Sequence, residues 1–376
     1  MTRESLESIK IHQFRGLRDL ELKDIGRINL LVGINNSGKT SVLEALSIYC
    51  QPLDIKVWLN TARQREQDYR TSRTPSFEAL QWLFNHDSPF SSVEPKTGII
   101  SISGSGSFAV KRMTATYKEM ERMALSDKRR TRVSGEDTTR LDKGLDLKVE
   151  LETGQLNSLN NEETNLTENY PLWEGEFLYG LSSKKEPSLN TTTVTPVSHS
   201  SEIGKFRLLS EASFQDFKSD VVELLRQIDS TISDILILVP PGYSSLRFNI
   251  YIQHEKLGVV PVSTFGDGVR RLLHIALKLA SVRGGILFID ELEVALHTEA
   301  LQNSLSWLIK WCKEMDVQLF ATTHSLETVD ALLEVIEDES DLVLYRLEPK
   351  EMQTRVVRHD GKRLKRLREE LGQEVR

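Results

Sequence analysis

The spacing of apolar residues changes character along the chain, and each change predicts an element. Near the start, LESIKIHQFRGLRDLEL alternates apolar with polar positions through Leu6, Ile9, Ile11, Phe14, Leu17, Leu20 and Leu22, with Gly16 as a turn, and reads as antiparallel strands. Ile28, Leu30, Leu31 and Val32 then form a short buried strand, and Ser41-Val42-Leu43-Glu44-Ala45-Leu46 opens a helix with apolar residues on one face. Toward the other end, strands predicted at 285–290, 317–322 and 342–347 take turns with helices at about 269–282, 299–314 and 326–336. Such alternation predicts a parallel sheet covered by helices.

The centre, from about Pro52 to Thr231, has a different texture. IISISGSGSFAVKRMTATYKEMERM and LDLKVELETGQL predict strands that continue the N-terminal antiparallel sheet. By contrast, NSLNNEETNLTENY and SSKKEPSLNTTTVTPVSHSS are polar and turn-prone, and read as loops. From Leu208 to Ile232 the spacing of Leu209, Phe214, Phe217, Val221, Leu224, Leu225 and Ile228 returns to a helix. There is no internal repeat and no heptad run long enough for a coiled-coil arm. The expected organisation is one discontinuous domain, 1–52 with 232–376, interrupted by an inserted accessory lobe at 53–231.

At 376 residues the chain is long enough for one large domain or two ordinary ones, and its 39% apolar and 27% charged content is that of a soluble globular protein. The net charge of −7 leaves nucleic acid binding to a local patch and excludes whole-surface attraction. No run approaches the roughly 20 apolar residues that span a bilayer. MTRESLESIK lacks the apolar core of a signal peptide, so no membrane partner and a cytoplasmic location are expected. Cys50 and Cys312 each fall inside a predicted helix without a Cys-x-x-Cys neighbour and read as free, packed thiols.

The candidate chemistry gathers at the ends of predicted strands. Gly33-Ile34-Asn35-Asn36-Ser37-Gly38-Lys39-Thr40 lies between strand and helix, and its glycine, lysine and threonine spacing is the phosphate-binding loop pattern in its confirming context. Glycines let the backbone curl so that successive N–H groups point inward, and the following helix adds its positive end. Gly33, Asn35, Asn36, Ser37, Gly38, Lys39, Thr40 and Ser41 are therefore the candidate residues for holding a polyphosphate. Lys39 would sit over the outer phosphates, with the Thr40 hydroxyl on Mg²⁺. In GGILFIDELEVALH the strand Ile286-Leu287-Phe288-Ile289 is apolar on both faces, as a central parallel strand requires. It delivers Asp290 and Glu291 to its C-terminal end, where ligands bind in open parallel sheets. Asp290 suits Mg²⁺ and Glu291 suits polarising an attacking water. Another strand, in QLFATTHS, ends in Thr322-Thr323-His324-Ser325, where His324 could donate to a terminal phosphate or to the nucleophilic water.

Loop, Asp-Glu strand and terminal histidine follow an order, with flanks, that resembles the ATP-binding-cassette ATPase heads. The likeness is to the non-transporter branch, which includes the structural-maintenance-of-chromosomes and recombination ATPases and the overcoming-lysogenization-defect nucleases. FRGLRDLELKDIGRINLLVGINNSGKTSVLEAL with FGDGVRRLLHIALKLASVRGGILFIDELEVALH is similar to the stand-alone AAA-type ATPases near the last group. Both ends of the chain carry the resemblance and the middle does not. It implies an α/β P-loop nucleoside-triphosphatase fold: an ABC-ATPase-like head with a mixed, mostly parallel sheet, N-terminal antiparallel strands and an inserted lobe. ATP and Mg²⁺ are the implied cofactors.

The resemblance also implies a signature loop that reaches the γ-phosphate across a dimer interface, and STFGDGVRRLL, starting at Ser263, is the matching segment. Gly266 and Gly268 precede a helix whose amides could bind an anion. Gly266 stands where transporters carry a serine and Asp267 where they carry a glycine, so the contact would rest on backbone amides. Asp267 must then point away from phosphate or meet Arg270 or Arg271. His297 stands where transporters carry an aspartate. The Mg²⁺-sensing glutamine stays open among Gln64, Gln67 and Gln81, and Arg15 reads equally as a neighbour of the nucleotide or a surface residue. KRLKRLREELG could touch phosphodiesters, but a solvated helical face is the commoner explanation. EDESD at 337–341 reads as a polar turn before a strand.

The function expected is that of an ATPase acting as an ATP-gated dimeric switch: two copies sandwich two ATP molecules, and hydrolysis led by Glu291 releases the pair. The relatives carry or accompany a nuclease domain of the topoisomerase-primase kind, and this chain ends at residue 376, too soon after His324 for one. A separate nuclease-type effector subunit, in defence against phage or other foreign DNA, is the expected partner. A slow nucleotide-gated scaffold and a DNA-repair clamp are the alternatives.

Overall fold

The computed structural model describes residues 5–65, 77–84, 97–125, 139–154, 164–174, 186–200, 205–239, 248–295, 301–350 and 353–376. Its strands are β1 (Leu6–Phe14), β2 (Leu17–Leu22), β3 (Ile28–Val32), β4 (Thr97–Gly106), β5 (Val110–Leu125), β6 (Thr139–Thr153), β7 (Thr164–Trp173), β8 (Thr191–Val194), β9 (Ile232–Leu238), β10 (Asn249–His254), β11 (Gly258–Pro261), β12 (Ile286–Ile289), β13 (Gln318–Thr322), β14 (Leu342–Lys350) and β15 (Gln353–Asp360). Its α-helices are α1 (Lys39–Cys50), α2 (Ile55–Arg63), α3 (Phe77–Gln81), α4 (Lys205–Phe214), α5 (Lys218–Arg226), α6 (Asp267–Ala280), α7 (Leu292–Ala295), α8 (Leu301–Glu314), α9 (Leu326–Val335) and α10 (Gly361–Lys365). The chain divides into two compact units, Met1–Ser8 with Leu22–Leu43 and Leu189–Arg376, and Ile9–Glu21 with Glu44–Ser188.

The first unit is built on a six-stranded sheet in the order β15-β14-β3-β13-β12-β8. All neighbours run parallel except the edge strand β15, which pairs antiparallel with β14. β3 and β12 are buried at every position, which explains why their sequences are continuous apolar runs with no alternation. Register decides what meets at the sheet's C-terminal edge: Thr322 pairs with Leu31, and Ile289 with Ala321. The loops leaving β3, β12 and β13 therefore start side by side. A separate antiparallel sheet, β11-β10-β9, completes the unit.

Three sequence expectations are corrected here. The segment 205–226, assigned from the sequence to the accessory lobe, belongs to this unit. Leu209, Phe217, Val221 and Leu225 share one apolar core with Leu272, Ala276 and Leu279 of α6 and with Leu287 of β12. The insert thus closes at Ser188 and not at residue 231, and the division also moves Ile9–Glu21 and the chain after Leu43 into the second unit. The stretch is also two helices and not one: Asp216 takes a left-handed backbone (φ 56°) between α4 and α5. In addition, part of the Thr-rich segment read as a loop is strand β8, pairing Thr191 to Val194 with Ile286 to Ile289.

The second unit carries a sheet in the order β2-β1-β4-β5-β6-β7, so the middle strands do continue the N-terminal ones. β5 and β6 pair antiparallel from Val110 opposite Thr153 to Leu125 opposite Thr139, with a shift of register between Val110 and Arg112. Its buried face alternates through Met113, Ala115 and Tyr117 opposite Leu151, Val149 and Leu147, the period-two pattern of a half-covered sheet. Polar NSLNNEETNLTENY, read as a loop, contributes its second half to β7, where Tyr170 is held by a hydrogen bond to the Leu53 carbonyl (2.8 Å). Among the described residues no helix is long and apolar enough to cross a membrane. Cys50 and Cys312 are free and buried.

Candidate active site

Between β3 and α1 the chain curls through three residues with positive φ: Gly33 (144°), Asn36 (62°) and Gly38 (96°). Gly33 has no alternative, because a β-carbon there would lie 2.5 Å from the Leu347 carbonyl oxygen and 2.8 Å from Ser37 Oγ. The loop leaves Asn35 and Asn36 exposed and buries Ser37, Lys39 and Ser41. Lys39 Nζ donates to the carbonyls of Gly33 (2.9 Å) and Ile34 (3.0 Å), folding back over the loop that it closes. Burial lowers the Lys39 ammonium below its ordinary value, against the opposing pull of Asp290, Glu293 and Glu291.

The acidic strand end meets this loop. The Thr40 hydroxyl lies 3.1 Å from both Asp290 carboxylate oxygens, so its single proton serves either. Thr322, at the end of the neighbouring strand, donates its hydroxyl to Asp290 Oδ1 (2.7 Å) and accepts the backbone N–H of Glu291 (2.8 Å). One hydroxyl thereby sets both acidic residues. Glu291 has a left-handed backbone (φ 56°), a conformation that costs a residue with a side chain about 1–3 kcal/mol and concentrates at working sites. Burial, then the charges of Asp290 and Glu293, raise the Glu291 carboxyl above the usual range, and His324 and Lys39 oppose the shift. Glu293 Oε1 accepts the backbone N–H of His324 (2.6 Å), and Arg376 donates to the His324 carbonyl (3.2 Å), so the histidine's backbone is held from both sides.

Lys39, Thr40, Asp290, Glu291 and His324 are thus one constellation. Thr322 and Glu293 were not picked out by sequence reasoning. Thr322 is one of two adjacent threonines, and only the β12–β13 register distinguishes them. Glu293 lies two residues past Glu291, and a helix turn aims it at the histidine. The oxygen donors of Thr40 and Asp290 fit Mg²⁺, a hard cation that prefers oxygen. The backbone cradle of 33–40 and buried Lys39 fit a polyphosphate.

Gly266 and Gly268 lie at the start of α6, and among the described residues no hydrogen bond or ion pair joins them to the constellation. Gly266 has an ordinary φ of −61° and nothing within 4 Å of a built β-carbon. Asp267 is turned onto Arg270 (3.1 Å) and His199 (3.5 Å), the first of which the sequence offered as its partner. Arg15 is not a surface residue: its guanidinium holds the buried Glu44 carboxylate (2.8 Å), which Arg65 also binds (2.8 Å). Gln81 donates to Glu119 (2.8 Å), Gln64 caps α2, and Gln67 and His297 lie outside the described residues. The basic C-terminal residues Lys365, Arg366 and Arg368 pair with Glu339, Glu370 and Asp330. EDESD forms a short 3-10 turn capped by Asp338.

The chain is similar to several known proteins. A curated relative from Helicobacter pylori, named ATP/GTP phosphatase, is 21% identical over 355 residues, 89% of each chain. A solved Smc head bound to the C-terminal winged-helix domain of ScpA aligns over 94% of this chain and 98% of that one, at 10% identity and a TM-score of 0.49. An Smc head with an extended coiled coil, bound to the C-terminal domain of ScpA from Pyrococcus furiosus, covers 98% and 99% at 10% identity and a TM-score of 0.47. A family model described as "AAA domain, putative AbiEii toxin, Type IV TA system" matches residues 28–330, most of the chain and every element of the constellation. With its glycine-rich loop, its acidic strand and the parallel strands β3, β8, β12 and β13 inside that match, the chain belongs to this family of AAA ATPase domains.

Proposed function

We propose that this ATPase binds Mg²⁺-ATP in the 33–40 cradle, hydrolyses it with Glu291, and uses the γ-phosphate to hold two copies together. The observation that carries the reading is the Thr40–Asp290 contact, which draws the phosphate loop and the acidic strand, 250 positions apart, onto one point. In this reading the loop amides and Lys39 take the phosphate oxygens, Lys39 exchanging the Gly33 and Ile34 carbonyls for them. Thr40 and Asp290 would hold Mg²⁺, which when bound offsets charge on the phosphates. Glu291 orients the attacking water and accepts its proton; a carboxylate raised above its usual range is the stronger base. Glu293 and Arg376 keep the His324 backbone in place beside it.

Gly266 supports the contact between copies. The fold does not require a glycine there, whereas close approach of another body does. With Asp267 drawn onto Arg270 and His199, the amides at the start of α6 are left facing a phosphate without a competing carboxylate. Loss of the γ-phosphate would then remove the bridge.

The test is a pair of variants. Lys39→Ala is expected to lose ATP binding, measured by calorimetry. Glu291→Gln is expected to keep binding, stop phosphate release and accumulate the dimer in light scattering with ATP. Normal turnover by purified Glu291→Gln would overturn the assignment. We extend the reading to control of a separate nuclease-type effector in defence against foreign DNA, which the resemblance of the sequence to the overcoming-lysogenization-defect group implies. Co-purification from the native host tests this, and a solitary ATPase would refute it. The carboxylate pairing of the C-terminal basic residues weighs against a DNA clamp.

A further inference from the structure

Beside Asp290 lies a small cavity with room for about one water, bounded by that residue with Thr195, His199, Arg271 and His274 and by the apolar Val194 and Ile275. Its two histidines are buried, and several polar atoms around it are short of partners. His274 is 4% and His199 7% exposed. Both ring nitrogens of His274, Nδ1 of His199 and Nε of Arg271 have no hydrogen-bond partner within the protein. Burial, then Lys278, Lys205 and His199, push the His274 imidazole down to about 3, so it is neutral, with one donor and one acceptor nitrogen. Buried polar nitrogens left without a partner are the groups that a cavity water, making about 2–4 hydrogen bonds, satisfies. Asp290 has lone pairs left after Thr40 and Thr322.

We propose that a water held by His274 in this cavity donates to the Asp290 carboxylate, making His274 a positioning residue for the Mg²⁺-binding side chain. This rests on the reading of Asp290 given above. The consequence lies in α6. His274 stands two turns along the helix whose first residues are the Gly266–Gly268 loop, and His199, another wall of the cavity, also contacts Asp267 at that helix's start. The segment expected to touch the neighbouring copy's phosphate and the carboxylate expected to hold this copy's Mg²⁺ are therefore joined through one rigid helix and one water.

The experiment compares ADP affinity by calorimetry in Mg²⁺ and in EDTA. His274→Leu keeps the side chain's bulk and removes both nitrogens; it is expected to weaken ADP binding in Mg²⁺ about fivefold, the size of one water-mediated hydrogen bond, and to leave the EDTA value unchanged. His274→Gln, with a donor and an acceptor, is expected to restore the Mg²⁺ value. A folded His274→Leu protein with an unchanged ratio, or a Gln variant as impaired as Leu, overturns the proposal, since a packing role alone moves thermal stability and not the Mg²⁺ dependence. Should the Leu variant fail to fold, a high-resolution crystal structure of the wild type decides: a water bridging His274 and Asp290 is required, and its absence refutes the bridge. Asp290→Asn separates the two readings. If it leaves the ratio unchanged, the Mg²⁺ assignment fails; if it collapses the ratio and His274→Leu does not alter it, only the bridge fails.

Discussion

Thr322→Val tests the claim that one hydroxyl sets both acidic residues. The substitution keeps the branched shape inside β13 and removes a 2.7 Å hydrogen bond to Asp290 and a 2.8 Å bond from the Glu291 N–H. A bond to a charged acceptor contributes about 1.5–3 kcal/mol and a neutral one about 0.5–1.5, so about 2–4 kcal/mol of local restraint is lost. Glu291 suffers most, because its left-handed backbone is held against an intrinsic cost and its amide is left unpaired. If about 2 kcal/mol of this appears in the transition state, kcat falls about 30-fold. Steady-state phosphate release measures it, with ADP affinity in EDTA as the control, since the hydroxyl of Thr322 bonds to Asp290 and Glu291 and not to the 33–40 cradle. Thr322→Ser, which returns the hydroxyl, is expected to recover most of the rate. A Val variant within twofold of wild-type kcat, or a Ser variant as slow as Val, would refute the reasoning.

Other outcomes follow from the same geometry. Gly33→Ala places a β-carbon 2.5 Å from the Leu347 carbonyl in a backbone with φ of 144°, and is expected to lower the melting temperature and abolish ATP binding together; a stable, ATP-binding variant would show that the loop is more pliable than described. Gly266→Ala meets nothing within 4 Å, so stability should stay within about 0.5 kcal/mol of wild type in urea titration. Its ATP-driven dimerisation, followed by light scattering, is expected to weaken, and an unaffected dimer would remove the loop from the interface. Leu225→Ala, at a fully buried core position of α5, is expected to cost about 2–5 kcal/mol in chemical denaturation. A loss under about 1 kcal/mol would contradict the placement of α5 in that core.

Much of the site was legible because its signals are local. The glycine-lysine-threonine spacing and the unbroken apolar run of β12 specify a turn and a buried strand within a few residues of themselves, and Asp290, Glu291 and His324 follow as the residues at strand ends. The misreadings fall where identity depends on distant partners. Thr191 to Val194 has the polar look of a loop and is a strand because β12 offers it a ladder of hydrogen bonds. The helices at 205–226 show a good apolar face, but nothing in that face says which core it covers; α6 does. Arg15 reads from the sequence equally as a neighbour of the nucleotide or a surface residue, and only the fold shows it as the counter-charge of Glu44, buried on α1.

By itself, the sequence determined that a glycine-rich turn between strand and helix, an acidic strand end and a terminal histidine exist, since backbone propensity and short-range spacing act over a few residues. Tertiary structure decided what those pieces do to one another. It placed Thr40 against Asp290, gave Thr322 its double role, and set His199, His274 and Arg271 around one small cavity with Asp290. The reason is physical: sheet register and desolvation bring together residues hundreds of positions apart, and a polar group's chemistry is set by the partners it finds once water has been removed.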